Sequence, residues 1–221
     1  MLAVPLSHIE KFILMFNDST QIQTALKQLG RKIALYDLDE VHFLICGGAA
    51  LSLIGTDIRP TKDVDILAIL SPSKASLNHI SNELLNAIHV TAKELGLAID
   101  WLNDAAADIS GKITLPEGIE QRAQQLSFGP CLKISVISRQ DQISLKLFAS
   151  ISDSKSQRHL KDLEALKPTS QELKIAEQWL NLQNPSEAFK HRLKELITIF
   201  SLEAENQNLE QKPQPKQQRK L

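Results

Sequence analysis

Residues 45–67, ICGGAALSLIGTDIRPTKDVDIL, decide how the chain is read. The apolar run Val41–Cys46 leads into this stretch and reads as a short buried strand ending at Gly47-Gly48. Small residues over 49–54 continue as a helical segment, and 55–61 form a loop carrying Arg59-Pro60. Over 63–70, Asp63 and Asp65 alternate with Val64 and Ile66 before the run turns wholly apolar. That pattern predicts a strand with a polar entrance and a buried exit. Side chains two apart on a strand share a face, so Asp63 and Asp65 are expected to point the same way.

Two carboxylates side by side repel each other and are costly to bury without a cation. Magnesium prefers carboxylate and phosphate oxygens, and a pair of such ions can serve an attacking and a leaving oxygen together. The Gly47-Gly48 step offers the complementary half. Glycine lets backbone N–H groups come close to phosphate, and a helix N-terminus follows it, which favours anions. Ser52, one turn on, adds a hydroxyl, while Arg59 and Lys62 flank the acidic pair and can offset phosphate charge. Each half alone has a plainer reading: Gly-Gly as a turn, Asp-x-Asp as a solvated strand edge. Their order, after a strand, favours a site for a metal-bound nucleoside triphosphate.

Outward from that segment the chain reads as ordinary globular sequence. It has 221 residues, 43% hydrophobic and 23% charged, enough for one domain or a domain with an annex. Lys plus Arg number 25 against 26 Asp plus Glu, so net charge exerts no general pull on nucleic acid or membrane. Cys46 and Cys131 have no partner at metal-ligand spacing and read as buried thiols. The start lacks a basic, apolar leader pattern and no run is long enough to span a bilayer, so a cytoplasmic, soluble protein with no membrane partner is expected.

Before the central stretch, Leu6, Ile9, Phe12, Ile13 and Phe16 suggest a helix with Ser7 as its cap. Ile22, Ala25, Leu26 and Leu29 suggest a second, ended or interrupted at Gly30. After it, a helix is expected to start at Ser73 or Ser76, with Leu77, Ile80, Leu84, Leu85, Ile88 and Ala92 inward and Gly96 as the stop. LAIDWL, 97–102, reads as a strand containing Asp100, and 126–128 and 132–137 as two more around Gly129-Pro130. Helices follow over 158–166, 172–182 and 187–202, after one beginning near Asp141. The fold expected is α/β (α+β), a mixed sheet with helices packed on it and a helical C-terminal portion. Its divisions are N-terminal helices at 1–40, a core at 41–140, the helical portion at 141–205 and a disordered tail at 206–221.

At the quoted residues the chain resembles the polymerase-β-type nucleotidyltransferases, whose signature is a Gly-Gly or Gly-Ser turn followed by an Asp-x-Asp strand. It is most similar to small bacterial AbiEii-like proteins, including toxins of toxin–antitoxin pairs. Their pattern runs Gly-Gly-x-Ala-Leu, then Arg-x-Thr-x-Asp-x-Asp. Here Gly47-Gly48-Ala49-Ala50-Leu51 and Arg59-Pro60-Thr61-Lys62-Asp63-Val64-Asp65 stand in those places. The resemblance implies a third carboxylate on a later strand, for which Asp100 is the candidate and Asp104 the substitute. It also implies a phosphate-binding Lys146, with Lys161 and Asp162 as further candidates that equally suit a solvated helix face.

The activity implied is nucleotidyl transfer from a nucleoside triphosphate with magnesium (Mg2+) or manganese (Mn2+). Asp63, Asp65 and Asp100 would bind the metal, an acceptor hydroxyl would attack the α-phosphorus, and pyrophosphate would leave. The acceptor is open among RNA, protein and small molecules, and a toxin would have a cognate antitoxin. The alternative class is a non-catalytic nucleotide- or partner-binding protein on the same fold. A kinase-like or phosphohydrolase reaction would differ from nucleotidyl transfer in releasing no pyrophosphate.

Overall fold

A computed structural model of the chain describes residues 15–56, 59–70, 80–152, 156–183 and 185–210. The chain divides into two compact units between Ile137 and Ser138.

The first unit is built on a mixed sheet. Its strands are β1 (Val41–Cys46), β2 (Val64–Ile69), β3 (Leu102–Asn103), β4 (Gln124–Ser127) and β5 (Leu132–Val136), in the order β3-β2-β1-β5-β4. Strand β1 pairs antiparallel with β2 and parallel with β5. Strand β3 runs parallel to β2, and β4 antiparallel to β5.

Two long helices, α1 (Ser19–Leu35) and α3 (Asn82–Leu95), cover one face. Ile22, Leu26, Leu29 and Ile33 of α1, and Leu84, Ala87 and Ile88 of α3, are buried in one cluster with Phe43, Ile45, Val64, Ile66 and Ile134 of the strands. The short helix α2 (Gly47–Leu53) joins β1 to β2. Helices α4 (Ala107–Lys112) and α5 (Ile119–Arg122) lie between β3 and β4 along the chain.

The second unit is helical: α6 (Arg139–Ser152), α7 (Ser156–Leu166), α8 (Ser170–Asn181) and α9 (Glu187–Glu210). Helix α6 is its most buried element, and α7, α8 and α9 all pack on it. Thr169 and Glu172 form a reciprocal capping box that starts α8. Arg139 of α6 donates to Glu172 Oε1 at 2.8 Å and to the Leu166 carbonyl at 2.6 Å, tying the ends of three helices together. Among the described residues no helix is long and apolar enough to cross a membrane.

Several boundaries differ from the sequence reading. Helix α1 does not stop at Gly30, which is buried in mid-helix. A Cβ there would collide with the Phe128 carbonyl oxygen, so glycine is required by close packing rather than by a helix end. Phe16 is not helical. Its N–H donates to the Thr61 carbonyl and its carbonyl accepts from the Thr61 N–H, an isolated antiparallel bridge. The rest of that first helix, 1–14, and the caps Ser73 and Ser76 lie outside the described residues, and α3 begins at Asn82 under a Ser81 cap.

The strand expected over 97–102 is reduced to Leu102–Asn103. Leu97 N–H still bonds back to Ala92, Trp101 N–H closes a turn onto Ala98, and the Trp101 indole turns inward to donate to the Ile88 carbonyl at 3.2 Å. Only beyond that anchor does the chain come level with β2. Helix α9 continues through Glu210, so 206–210 is helical rather than part of a disordered tail, and the remainder of that tail lies outside the described residues.

Candidate active site at the β1–α2–β2 corner

The register between β1 and β2 decides where the acidic pair points. Phe43 faces Ile69 and Leu44 faces Ala68, but then Ile45 faces Ile66 and Cys46 faces Asp65. Leu67 is the extra residue of a β-bulge. A one-residue slip moves every later side chain to the other face of a sheet. Ile69 before the slip and Ile66 and Val64 beyond it all pack toward the α1–α3 core. Strict alternation from Ile69 would have put Leu67 and Asp65 into that core. The bulge instead turns Asp65 to the opposite face, beside Cys46.

There the Asp65 carboxylate meets the first glycine. Gly47 has φ of +82°, and a Cβ on it would overlap Asp65 Oδ2, with Asp65 Cγ only 3.2 Å away. The second glycine is more loosely held: a Cβ on Gly48 would stand 3.2 Å from Thr61 Cβ and Oγ1, a tight contact that a small shift could relieve. At Gly47 the turn is glycine because its φ is positive and the Asp65 carboxylate fills the space of a side chain. This is a reason the sequence reading, which assigned that space to phosphate, did not contain. Its consequence is that the Gly-Gly turn and the acidic strand form one contiguous corner.

Asp63 stands just before β2, and both it and Asp65 are half-buried. Thr61 Oγ1 lies 3.2 Å from Asp63 Oδ1 and 3.3 Å from its carbonyl oxygen, in position to donate to either. Lys62 is exposed, and Arg59 is half-buried with Nη1 3.5 Å from the Pro60 carbonyl of its own loop. Ser52 is half-buried on α2.

Asp100 sits elsewhere in the local geometry. It is exposed in the turn before β3, and the residue level with Asp65 is Asn103. The Asn103 side chain closes that turn, its Nδ2 donating to the Asp100 carbonyl at 3.1 Å and its Oδ1 accepting from Ala105 N–H at 3.0 Å. Asp104 is half-buried and follows at once. Among the described residues no group of three His, Cys, Asp or Glu side chains meets the geometry of a metal site. Asp63 and Asp65 are the oxygen donors this corner presents.

Within the second unit, Lys146 and Asp162 are each other's partner. The Lys146 ammonium donates to Asp162 Oδ2 at 2.5 Å, with side-chain exposures of 7% and 2%. Lys161, next to Asp162 on α7, is exposed.

Thr61 and the Leu67 bulge are the two features that residue-by-residue reading passed over. Thr61 stood inside the quoted motif without a role, and only its β-branched shape hinted at a fixed position. The bulge has no marker in a wholly apolar run.

Comparison with known proteins places this geometry. Residues 24–173 match the family described as "Nucleotidyltransferase of unknown function (DUF6036)". The chain belongs to that family. The nucleotidyltransferase match takes in the whole β1–α2–β2 corner and continues into the helical unit. No curated protein matches the chain. Among solved structures, an antigenic nucleotidyltransferase-like protein from Paracoccidioides brasiliensis matches with a TM-score of 0.45 and 17% identity, over 82% of this chain and 95% of that one. Likeness at that level transfers neither activity nor ligand.

Proposed function

We propose that this nucleotidyltransferase-family chain binds a magnesium–nucleoside triphosphate at the β1–α2–β2 corner and transfers its nucleotidyl group to an acceptor hydroxyl. The observation that carries the reading is the contact of the Asp65 carboxylate with Gly47, which makes the acidic strand and the Gly-Gly turn one site. The donor set fits magnesium, which is commonly held by one or two carboxylates while phosphates and waters complete its shell. Manganese accepts the same hard oxygen donors. When bound, the ion supplies neutralisation of the triphosphate charge.

The chain's own part is positioning. Asp63 and Asp65 present carboxylate oxygens two residues apart at the start of β2, and Arg59 and Lys62 bring positive charge along the loop that leads to them. Reactions of this kind depend mainly on orientation and charge stabilisation. The AbiEii-like pattern of 47–51 and 59–65 extends the proposal to a toxin-type component working in the cytoplasm and held in check by an antitoxin.

Calorimetric titration of each nucleoside triphosphate with magnesium tests the site. Wild type is expected to bind at least one of them in a magnesium-dependent manner, and the Asp63→Ala/Asp65→Ala double variant, still folded, is expected to lose that binding. Wild-type protein that binds none would defeat the proposal.

A second reading, a nucleotide- or partner-binding protein without catalysis, is favoured by one observation: Asn103, an uncharged amide, rather than Asp100 stands level with Asp65. Magnesium-dependent binding with no pyrophosphate released, across RNA, protein and small-molecule acceptors, would support it over the first.

A further inference from the structure

Thr61 is the buried polar residue of the segment that carries the acidic pair. It is 2% exposed, whereas Lys62 is exposed and Asp63 and Asp65 are half-buried. Its main chain is held from a distant part of the sequence: Phe16 N–H donates to the Thr61 carbonyl at 2.7 Å, and Thr61 N–H donates back to the Phe16 carbonyl at 3.0 Å. Phe16 is itself anchored, its buried ring meeting that of Trp101 edge-on at a centroid distance of 6.1 Å. Its side chain lies beside Gly48, where an added Cβ would come within 3.2 Å of the Thr61 Cβ and hydroxyl. A β-branched residue in such a place has little freedom about χ1. What this fixed hydroxyl faces is Asp63, at 3.2 Å from Oδ1 and 3.3 Å from the carbonyl oxygen. One hydroxyl proton serves one acceptor at a time, and an ionised carboxylate is the stronger of the two.

We propose that Thr61 is a positioning residue, whose hydroxyl donates to the Asp63 carboxylate and holds it in the orientation that meets the cation of a bound nucleotide. Asp63 precedes β2 and lies outside its paired register, whereas the Thr61 backbone is fixed by the bridge to Phe16, so the contact runs from a held residue to one ahead of the ladder. Phe16 acts one step further back, by clamping the Thr61 backbone. The consequence for nucleotide binding rests on the nucleotidyl-transfer reading, whereas the geometry does not.

The test pairs Thr61→Val, which keeps the shape and removes the donor, with Thr61→Ser, which keeps the donor and removes the methyl group. Two readouts are taken on the full chain: the χ1 rotamer populations of Asp63 from NMR scalar couplings, and calorimetric affinity for the magnesium–triphosphate that binds wild type. Thr61→Val is expected to spread Asp63 over several rotamers and to weaken binding about tenfold, the size of one hydrogen bond to a charged group. Thr61→Ser is expected to keep both near wild type. Should valine prevent folding, Thr61→Ala takes its place, since it also lacks the donor and adds no atoms. A donor-free variant with the wild-type Asp63 rotamer and affinity would overturn the proposal and leave the nucleotidyl-transfer reading intact. Loss of the rotamer in a protein whose wild type binds no triphosphate would uphold the positioning role and remove that reading.

Discussion

At the β1–α2–β2 corner the carboxylates of Asp63 and Asp65 are half-buried and lie where a strand begins. On α6 and α7 the ammonium of Lys146 and the carboxylate of Asp162 are almost wholly buried and meet at 2.5 Å. Both places bring charge into the protein, and both were candidates for the same chemistry on sequence grounds. They solve the desolvation problem differently. The helical pair neutralises itself, which stabilises the packed state only while both partners stay. The acidic pair has like charge on both members and keeps part of its surface in water, where solvent offsets much of the cost of holding two carboxylates close together. The helical pair is shut away from water, so its two charges depend far more on each other.

The hardest blow to this contrast would come from Lys146. Lys146→Met should lower the unfolding free energy by about 3–5 kcal/mol, the size of breaking a buried ion pair, because it removes the ammonium that meets the Asp162 carboxylate at 2.5 Å. Urea denaturation of the variant measures it. A loss below about 1 kcal/mol, the range of exposed pairs, would put Lys146 with the ligand-facing charges instead.

The glycines sharpen the other side. Gly47 and Gly55 have nearly the same left-handed backbone, φ +82° and +83°, but a Cβ on Gly47 strikes Asp65 whereas one on Gly55 meets nothing within 4 Å. Gly47→Ala and Gly55→Ala should each cost about 1–2 kcal/mol from that conformation, read by thermal unfolding. Only Gly47→Ala should also displace the Asp65 carboxylate and abolish magnesium–triphosphate binding. Equal binding by both variants would separate the glycine turn from the acidic site.

The smallest effect belongs to Glu172, an intermediate case. Burial pushes its carboxyl up, but the hydrogen bond and charge of Arg139, with Thr169, outweigh it and hold the group below its ordinary value near 4.5. A depressed carboxyl stabilises the fold above its unfolded value, and that stability is lost as pH falls through the folded one. Wild type should therefore be more stable than Glu172→Gln at neutral pH, and the gap should close as the medium is acidified below about pH 4.5. A gap independent of pH would mean that the capping box and packing, rather than the ion pair, account for the residue.

Much of the fold was legible. Val41–Cys46 was readable because an apolar run bounded by Gly-Gly has few alternatives, and the helices of both units followed from apolar spacing. The failures share a cause. Gly30 was read as a helix end because propensity is local, whereas its reason is the Phe128 carbonyl packed against it. LAIDWL looked like a half-buried strand with Asp100 facing away from Ile99 and Trp101, but the Trp101 N–H closes a turn onto Ala98 and its indole donates to the Ile88 carbonyl. Thr61 acquired a function only once Phe16, Gly48 and Asp63 were seen around it.

By itself the sequence determined which residue types stand at the corner: a strand, two glycines, and two carboxylates at a spacing of two. Those follow from steric limits on the backbone and from the two-residue period of a strand, which are local. Which way the carboxylates face was a tertiary decision. It depends on one unpaired residue, Leu67, whose slip is set by how β2 pairs with β1 and by how tightly Ile66 and Ile69 both pack on the helices beneath. Likewise Asn103 rather than Asp100 stands level with Asp65, and Lys146 is matched to Asp162, because pairing across a sheet and burial between helices are settled by elements far apart in the chain.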